Sequence, residues 1–434
     1  MKSWYSELTP VERRTYWACF GGYTLDSLDS TMYALLAPVL IAVVGLTRPE
    51  IGVLATAGLI GNAIGGWAAG IVADRYGRVS VLKFTILWVA AFSALAALAS
   101  SFHAFLFVRV LQGLGYGGEA AVGGVLISEV VRPALRGRVA SSVQAGFAVG
   151  YALSTGLMPV IFGLLPEATA WRVMFGIGIV PAFLVLLIRK QVPESQLFQA
   201  QAGRAVAPFW AIFRRVHLRN TLLGLLLASG ILGGGFSMSA WLPTYLRTDL
   251  HLAVASTAGY LAMSIAGSLT GPFVSGWLSD RVGRRANFVL FVLCEAVVVA
   301  TLLFVPIGAH ATIVLIFLHG ALQSGLAAGL LPVFAELFDT EIRANGSGFC
   351  ATGGRGVAAI MPASVGVLSA TMPLGRAMGL AALCAFAVAL VAALLLPERS
   401  GTDLARVENE ADVEAAPETA SREDTRLCEH ASRA

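Results

Sequence analysis

The stretch GIVADRYGR at Gly70–Arg78 returns 206 residues later as GWLSDRVGR at Gly276–Arg284, with Gly, Asp, Arg, Gly and Arg at the same five places. Other echoes share nearly the same spacing. Gly113 and Gly320, Glu129 and Glu336, and Arg136 and Arg343 each stand 207 residues apart, and Pro193-Glu194 is echoed by Pro397-Glu398. Several matches at one offset imply an internal duplication. Both copies of the stretch lie between long apolar runs, so the duplicated unit is a bundle of membrane helices.

Composition agrees. Of 434 residues, 57% are hydrophobic and only 13% charged, with a mean hydropathy of +0.76. A soluble domain carries about 25% charged residues. Lipid must therefore be the solvent for most of this chain, and the formal charge of +4 gives no ground for a nucleic-acid partner. About 20 apolar residues cross the hydrocarbon core. With that ruler the sequence predicts six spans near Trp17–Val44, Ile51–Gly70, Leu82–Leu98, Phe105–Ile127, Val139–Leu165 and Val173–Ile188. Six more follow near Leu222–Leu246, Thr257–Leu278, Phe288–Ile307, Ile313–Phe334, Gly348–Leu368 and Met378–Leu396.

The expected organisation is an N-terminal segment 1–16, a six-helix bundle 17–190, a linker 191–220, a second bundle 221–396 and a disordered tail 397–434. The tail is rich in Glu, Asp, Ala and Ser and too polar to fold alone. Thr9-Pro10-Val11-Glu12 reads as a capping box, hence as a cytoplasmic lead-in to the first span and not a signal peptide. Most Lys and Arg then fall on the side of the termini, among them Arg75, Arg78, Arg132, Arg138, Arg214 and Arg285, whereas the other side keeps only Arg48, Arg172, Arg247 and Arg376. This asymmetry places both termini in the cytoplasm of a multi-pass plasma (bacterial inner) membrane protein.

The two GxxxDRxGR copies resemble the signature of the major facilitator superfamily. Arg109-x-x-Gln112-Gly113-x-Gly115-x-Gly117-Gly118-Glu119 is similar to its fourth-helix motif, and Glu129 with Arg136, like Glu336 with Arg343, to its motif after helices 4 and 10. The resemblance implies an all-α fold of twelve transmembrane helices in two six-helix bundles, working by alternating access. Leu25-Asp26-Ser27-Leu28-Asp29, Trp241-Leu242-Pro243 and Gly354-Arg355-Gly356 resemble the aromatic acid:proton symporters and the related sialic acid and lactate symporters. Helix 5 lacks the Gly-Pro motif of drug antiporters and helix 7 the paired glutamines of sugar porters. Proton-coupled import of a small organic anion is the expectation; a sugar-type substrate, a drug or metabolite exporter and a transporter-derived sensor are the alternatives.

An ionisable side chain at membrane depth costs about 2.5–3.5 kcal/mol on insertion scales, so each requires a reason. Asp26 and Asp29 sit one helical turn apart with Tyr33 a turn beyond, and two close carboxylates in a low dielectric resist double ionisation. A structural pair is the plainer reading and proton coupling the sharper one. Arg355 is permanently charged, and its counterpart in the first half, 207 residues earlier, is Ala148. Its fork suits a substrate carboxylate, or a salt bridge to Asp26 or Asp29.

Arg109, Gln112, Tyr116 and Glu119 form one helical stripe. The resemblance assigns Arg109 to proton coupling, and Glu119 joins it as a candidate. Tyr33, Gln112, Tyr116, His319 and Gln323 are candidate substrate contacts, although a lone histidine is more often a satisfied core residue. Glu295 has no functional account. The repeated Gly70, Asp74, Arg75, Gly77, Arg78, Glu129 and Arg136, with Gly276, Asp280, Arg281, Gly283, Arg284, Glu336 and Arg343, are expected to form a cytoplasmic gate of ion pairs and helix-end contacts.

Glycine runs such as Gly61–Gly70 read as close-packing faces and not nucleotide loops. The five cysteines show no ligand or disulfide spacing. No metal, cofactor or enzyme activity is expected, and the expected partners are a small organic anion, protons and lipid, with the chain a monomer.

Overall fold

The computed structural model describes residues 4–179, 209–338 and 342–397, without the side chains of residues 4, 74, 120, 128, 133, 134, 136–138, 140, 141, 144, 209, 211, 335 and 344. The expected tail and the linker up to residue 208 lie outside the described residues. The capping box is present. Glu12 N–H donates to Thr9 Oγ1 at 3.3 Å, and Thr9 N–H donates to the Glu12 carboxylate at 2.8 Å. Helix α1 therefore starts at Pro10 and runs to Val39, continued by a wider turn to Val44. The next helices of this half are α2 Arg48–Tyr76, α3 Arg78–Leu98, α4 Phe102–Val130, α5 Pro133–Leu164 and α6 Glu167–Ile177. The second half comprises α7 Arg215–Thr248, α8 Val254–Val282, α9 Arg284–Phe304, α10 Ala309–Leu337, α11 Arg343–Ala358, α12 Met361–Leu368 and α13 Leu374–Leu394.

Among the described residues, nine helices are long and apolar enough to cross a bilayer. With α4, α6 and the crossing shared by α11 and α12, they make the twelve helices of two six-helix bundles. The helices outrun the apolar windows because their polar ends stay helical. α7 begins at Arg215, for example, seven residues before the expected Leu222.

The repeated motif has a backbone reason. Gly77 at φ 94° and Gly283 at φ 88° each form the whole turn between consecutive helices. At that φ a side chain is strained, so glycine is required. The eleventh crossing, expected as one helix, breaks at Ala359–Ile360 and restarts with Pro362 in its first turn. Proline lacks the N–H that would continue the ladder from Ala358.

Packing repeats the duplication. α2 and α4 approach through Gly61, Gly65 and Gly113, and α8 and α10 through Gly267, Gly271 and Gly320, the same positions one repeat later. A Cβ on Gly61 would sit 2.6 Å from the Val110 carbonyl oxygen. These pairs touch backbone to backbone and leave no slack.

The halves meet along α1–α7, α2–α12 and α5–α8. The bonds described between them are Arg355 to Asn62, Ala363 N–H to Thr56 Oγ1 at 3.1 Å, and the ion pairs Arg48–Asp249 at 3.8 Å and Arg247–Glu167 at 3.1 Å. All four lie at mid-depth or toward the end opposite the repeated motif. At the motif end the ion pairs among the described residues include Arg78 to Glu129 at 3.4 Å, and Arg284 to Glu336 at 3.3 Å and to Asp280 at 3.4 Å, each within one half.

Candidate functional site

Asp26 and Asp29, on successive turns of α1, enter different surroundings. Asp29 is buried, and its Oδ2 receives three donors, the Ser93 hydroxyl from α3 and the Gln112 amide (3.0 Å) and Tyr116 hydroxyl from α4. Gln112 also donates to Ser93 Oγ at 2.9 Å, closing the network. Three donors on one oxygen offset much of the cost of burying a carboxylate. Asp29 Oδ1 has no partner. Asp26 is only partly buried. Its Oδ1 is enclosed and has no hydrogen-bond partner. Glu119 is held from α3 by the Thr85 hydroxyl at 3.4 Å.

Arg109 is buried with its guanidinium 4.0 Å from the centre of the Tyr33 ring, and it donates to the Ser30 carbonyl at 3.5 Å. The ring replaces part of the lost hydration of the cation. Gly58 of α2 makes the room, since a Cβ there would meet the guanidinium. Tyr33 is fixed in turn by Phe175 of α6, ring centres 4.8 Å apart. Arg109, Asp29, Gln112, Tyr116 and Tyr33 thus form one polar island inside the first half.

Arg355 occupies the last turn of α11, where its charge also complements the helix C-terminus. It is partly buried, and its described hydrogen bond goes to a neutral group on the other half, Asn62 Oδ1 of α2, at 3.3 Å. The expected alternative of a salt bridge to Asp26 or Asp29 is not among the described ion pairs. On α10, Gln323 donates to the Ile231 carbonyl of α7 at 3.0 Å and so ties two helices.

His319 faces the periphery, with Nδ1 2.6 Å from Glu295 Oε1 of α9. Both side chains are buried. This contact matches the reading of His319 as a satisfied core histidine, against that of a substrate contact, and gives Glu295, which had no functional account, a partner. Leaving one member of a buried hydrogen-bonded pair without its partner costs about 1–3 kcal/mol. Glu295→Ala is therefore expected to lower the melting temperature of the purified protein markedly, and an unchanged melting curve would show that the pair contributes nothing.

Ser93 and Asn62 are site residues that sequence reading passed over. Each is a single small polar residue in a long apolar or glycine-rich run, and spacing alone did not mark it. Among the described residues no cluster of His, Cys, Asp or Glu could hold a metal ion.

Comparison with known proteins fits this arrangement. The sequence profile of the Major Facilitator Superfamily matches residues 19–317 and 261–423. The chain is 39% identical over 420 residues to a probable 4-methylmuconolactone transporter of Cupriavidus pinatubonensis, covering 96% of this chain and 98% of that protein. It is 28% identical to the sialic acid transporter of Escherichia coli, over 81% of this chain and 87% of the relative. The 4-hydroxybenzoate transporter of Pseudomonas aeruginosa is also 28% identical, over 78% of this chain and 82% of its own length. Among solved structures, a D-xylose-proton symporter superposes with a TM-score of 0.77 at 17% identity, covering 90% of this chain and 99% of that one. The aromatic acid and sialic acid groups singled out by the first-helix aspartates and by Gly354-Arg355-Gly356 are thus among its relatives, and the chain belongs to the major facilitator superfamily as a multi-pass membrane transporter and not an enzyme.

Proposed function

We propose that this protein imports a small organic carboxylate together with protons, by alternating access of its two halves. The observation that carries the reading is Arg355. A permanent cation stands at mid-depth on the seam, bonded to a neutral amide of the other half. A guanidinium placed so has donors to offer a carboxylate, and the fork binds one in bidentate fashion. The cargoes named for the relatives, methylmuconolactone, hydroxybenzoate and sialic acid, differ in shape and share a carboxylate. The sialic acid relative keeps a sugar-type acid as the second reading.

In this proposal Asp26, Asp29, Arg109 and Glu119 carry the proton linkage. Arg355 receives the carboxylate, and Tyr33, Gln112, Tyr116, His319 and Gln323 shape the site or hold its walls. Both termini face the cytoplasm of the plasma membrane, and the monomer, divided into bundles at 17–190 and 221–396, is the working unit.

The test is uptake into proteoliposomes. With an inside-alkaline pH gradient, one of the three named acids is expected to accumulate above its outside concentration, and a protonophore is expected to abolish the excess. Accumulation that ignores the gradient would remove proton coupling, and uptake of none of them would remove the substrate class.

The repeated motifs are proposed as the cytoplasmic gate. Arg78 with Glu129, and Arg284 with Glu336 and Asp280, supply the charged pairs from which such a gate would be built. Asp74 follows Ala73 in the last turn of α2, so its carboxylate is lost from the gate in Asp74→Asn. That change is expected to raise labelling of single cysteines from the cytoplasmic face several-fold, and unaltered labelling would count against the assignment.

A further inference from the structure

The bond between Asn62 and Arg355 permits a deeper reading, which rests on Arg355 being the carboxylate site. Asn62 cannot drift within its own half. Gly113 and Gly117 of α4 lie so close to its backbone that a Cβ on either would meet it. On the facing side, Gly356, next to Arg355, comes within a Cβ contact of 3.9 Å from Ala63, next to Asn62. Any displacement of the Asn62 backbone from α11 is therefore a displacement of one half against the other.

The chemistry of the bond matters equally. The amide oxygen presents Arg355 with one neutral acceptor, 3.3 Å away. A carboxylate presents two charged acceptors, and charge-assisted pairs are about twice as strong as neutral ones. The halves in this structure are bonded at the level of Arg355 and beyond it, toward the end opposite the motif.

We propose that Asn62 is an internal competitor for the substrate: its amide oxygen takes the place of the substrate carboxylate on Arg355 as the halves close, and thereby drives release. Asn62 is a positioning residue in this scheme, acting on cargo through Arg355. Carboxylate and amide exclude each other on one edge of the guanidinium. Binding of one weakens the other by the same factor, as linkage requires.

The test measures binding and turnover of 4-hydroxybenzoate, 4-methylmuconolactone and sialic acid on the full chain, with the tightest-binding acid carried forward. Asn62→Ala removes the competitor. It is expected to bind that acid about three- to tenfold more tightly, the equivalent of one hydrogen bond, while turnover in proteoliposomes falls because release slows. Asn62→Asp supplies a fixed carboxylate and is expected to weaken binding about 100-fold.

Unaltered affinity and turnover in Asn62→Ala, or weaker binding in that variant, overturns the competition. If that occurs while Arg355→Ala loses the acid, the carboxylate site stands and only the role of Asn62 falls. If Arg355→Ala keeps native affinity, or none of the three acids binds the unaltered protein, the substrate reading itself falls.

Discussion

Arg355→Ala is expected to lower the affinity for the transported acid by about 100- to 5000-fold, corresponding to about 3–5 kcal/mol for removing one partner of a buried charged pair. A carboxylate moving to mid-membrane loses strong hydration, and only a fixed cation with several donors offsets that loss. Arg355 meets the requirement because its described bond is to a neutral amide. Removing it also leaves no carboxylate stripped of an ion-pair partner among those described, so the damage falls on the ligand and not on the fold. Arg355→Lys keeps the charge without the planar fork and is expected to bind weakly. Equilibrium binding on purified protein, with the melting temperature as the control for folding, is the measurement. Near-native affinity in a well-folded Arg355→Ala protein would make the cation structural and point to a neutral sugar or polyol as cargo.

The second large effect is expected from Asp26→Asn with Asp29→Asn. Neither amide can take up and release a proton near neutral pH, so accumulation driven by a pH gradient is expected to fall to the equilibrium ratio, while exchange of internal for external acid persists. The two single variants are expected to differ. Asn at 29 would offer the three groups that donate to the present Oδ2 a neutral amide oxygen in place of a charged one, and its NH2 would stand where Oδ1 has no partner. That substitution therefore disturbs the α1–α3–α4 junction as well as the proton step. Asn at 26, where the side chain is only partly buried, removes the titrating group with little repacking. Uptake with and without an imposed gradient separates the cases, and undiminished gradient-driven accumulation in the double variant would rule out both residues as carriers.

Much of this architecture was legible in the chain, for identifiable reasons. The repeat spacing that carries GxxxDRxGR also carries the glycines joining α2 to α4 and α8 to α10, because close helix approach and a one-residue turn both require the absence of a side chain. Helix ends were less legible. An apolar ruler stops at the first charges, whereas α5 begins at Pro133 and α10 ends at Leu337, beyond the expected Val139 and Phe334. The break before Pro362 was missed because the apolar run continues through it. Within the site, the sequence marked charged residues by their cost in lipid. It did not show which way each pointed. His319 and Glu295 were both conspicuous, yet their pairing depends on the rotation of α9 against α10, which hydropathy does not encode. Asp26 and Asp29 shared a helical face but not an environment, since the three donors around Asp29 come from two other helices.

The broken eleventh crossing bears on how the protein is made. α11, RANGSGFCATGGRGVA, holds two arginines and five glycines in 16 residues, and α12 adds only eight more. Neither piece offers the translocation machinery an apolar stretch of about 20 residues, and an arginine at mid-depth adds about 2.5–3.5 kcal/mol against partitioning. Most of the helices that α11 and α12 pack against are made before them, namely α2, α7 and α10, whereas α13, which packs on α12, follows. Partitioning of this segment into lipid is therefore a cooperative event that depends on the helices already inserted, and without α2, α7 and α10 in place Arg355 would be left outside the bilayer.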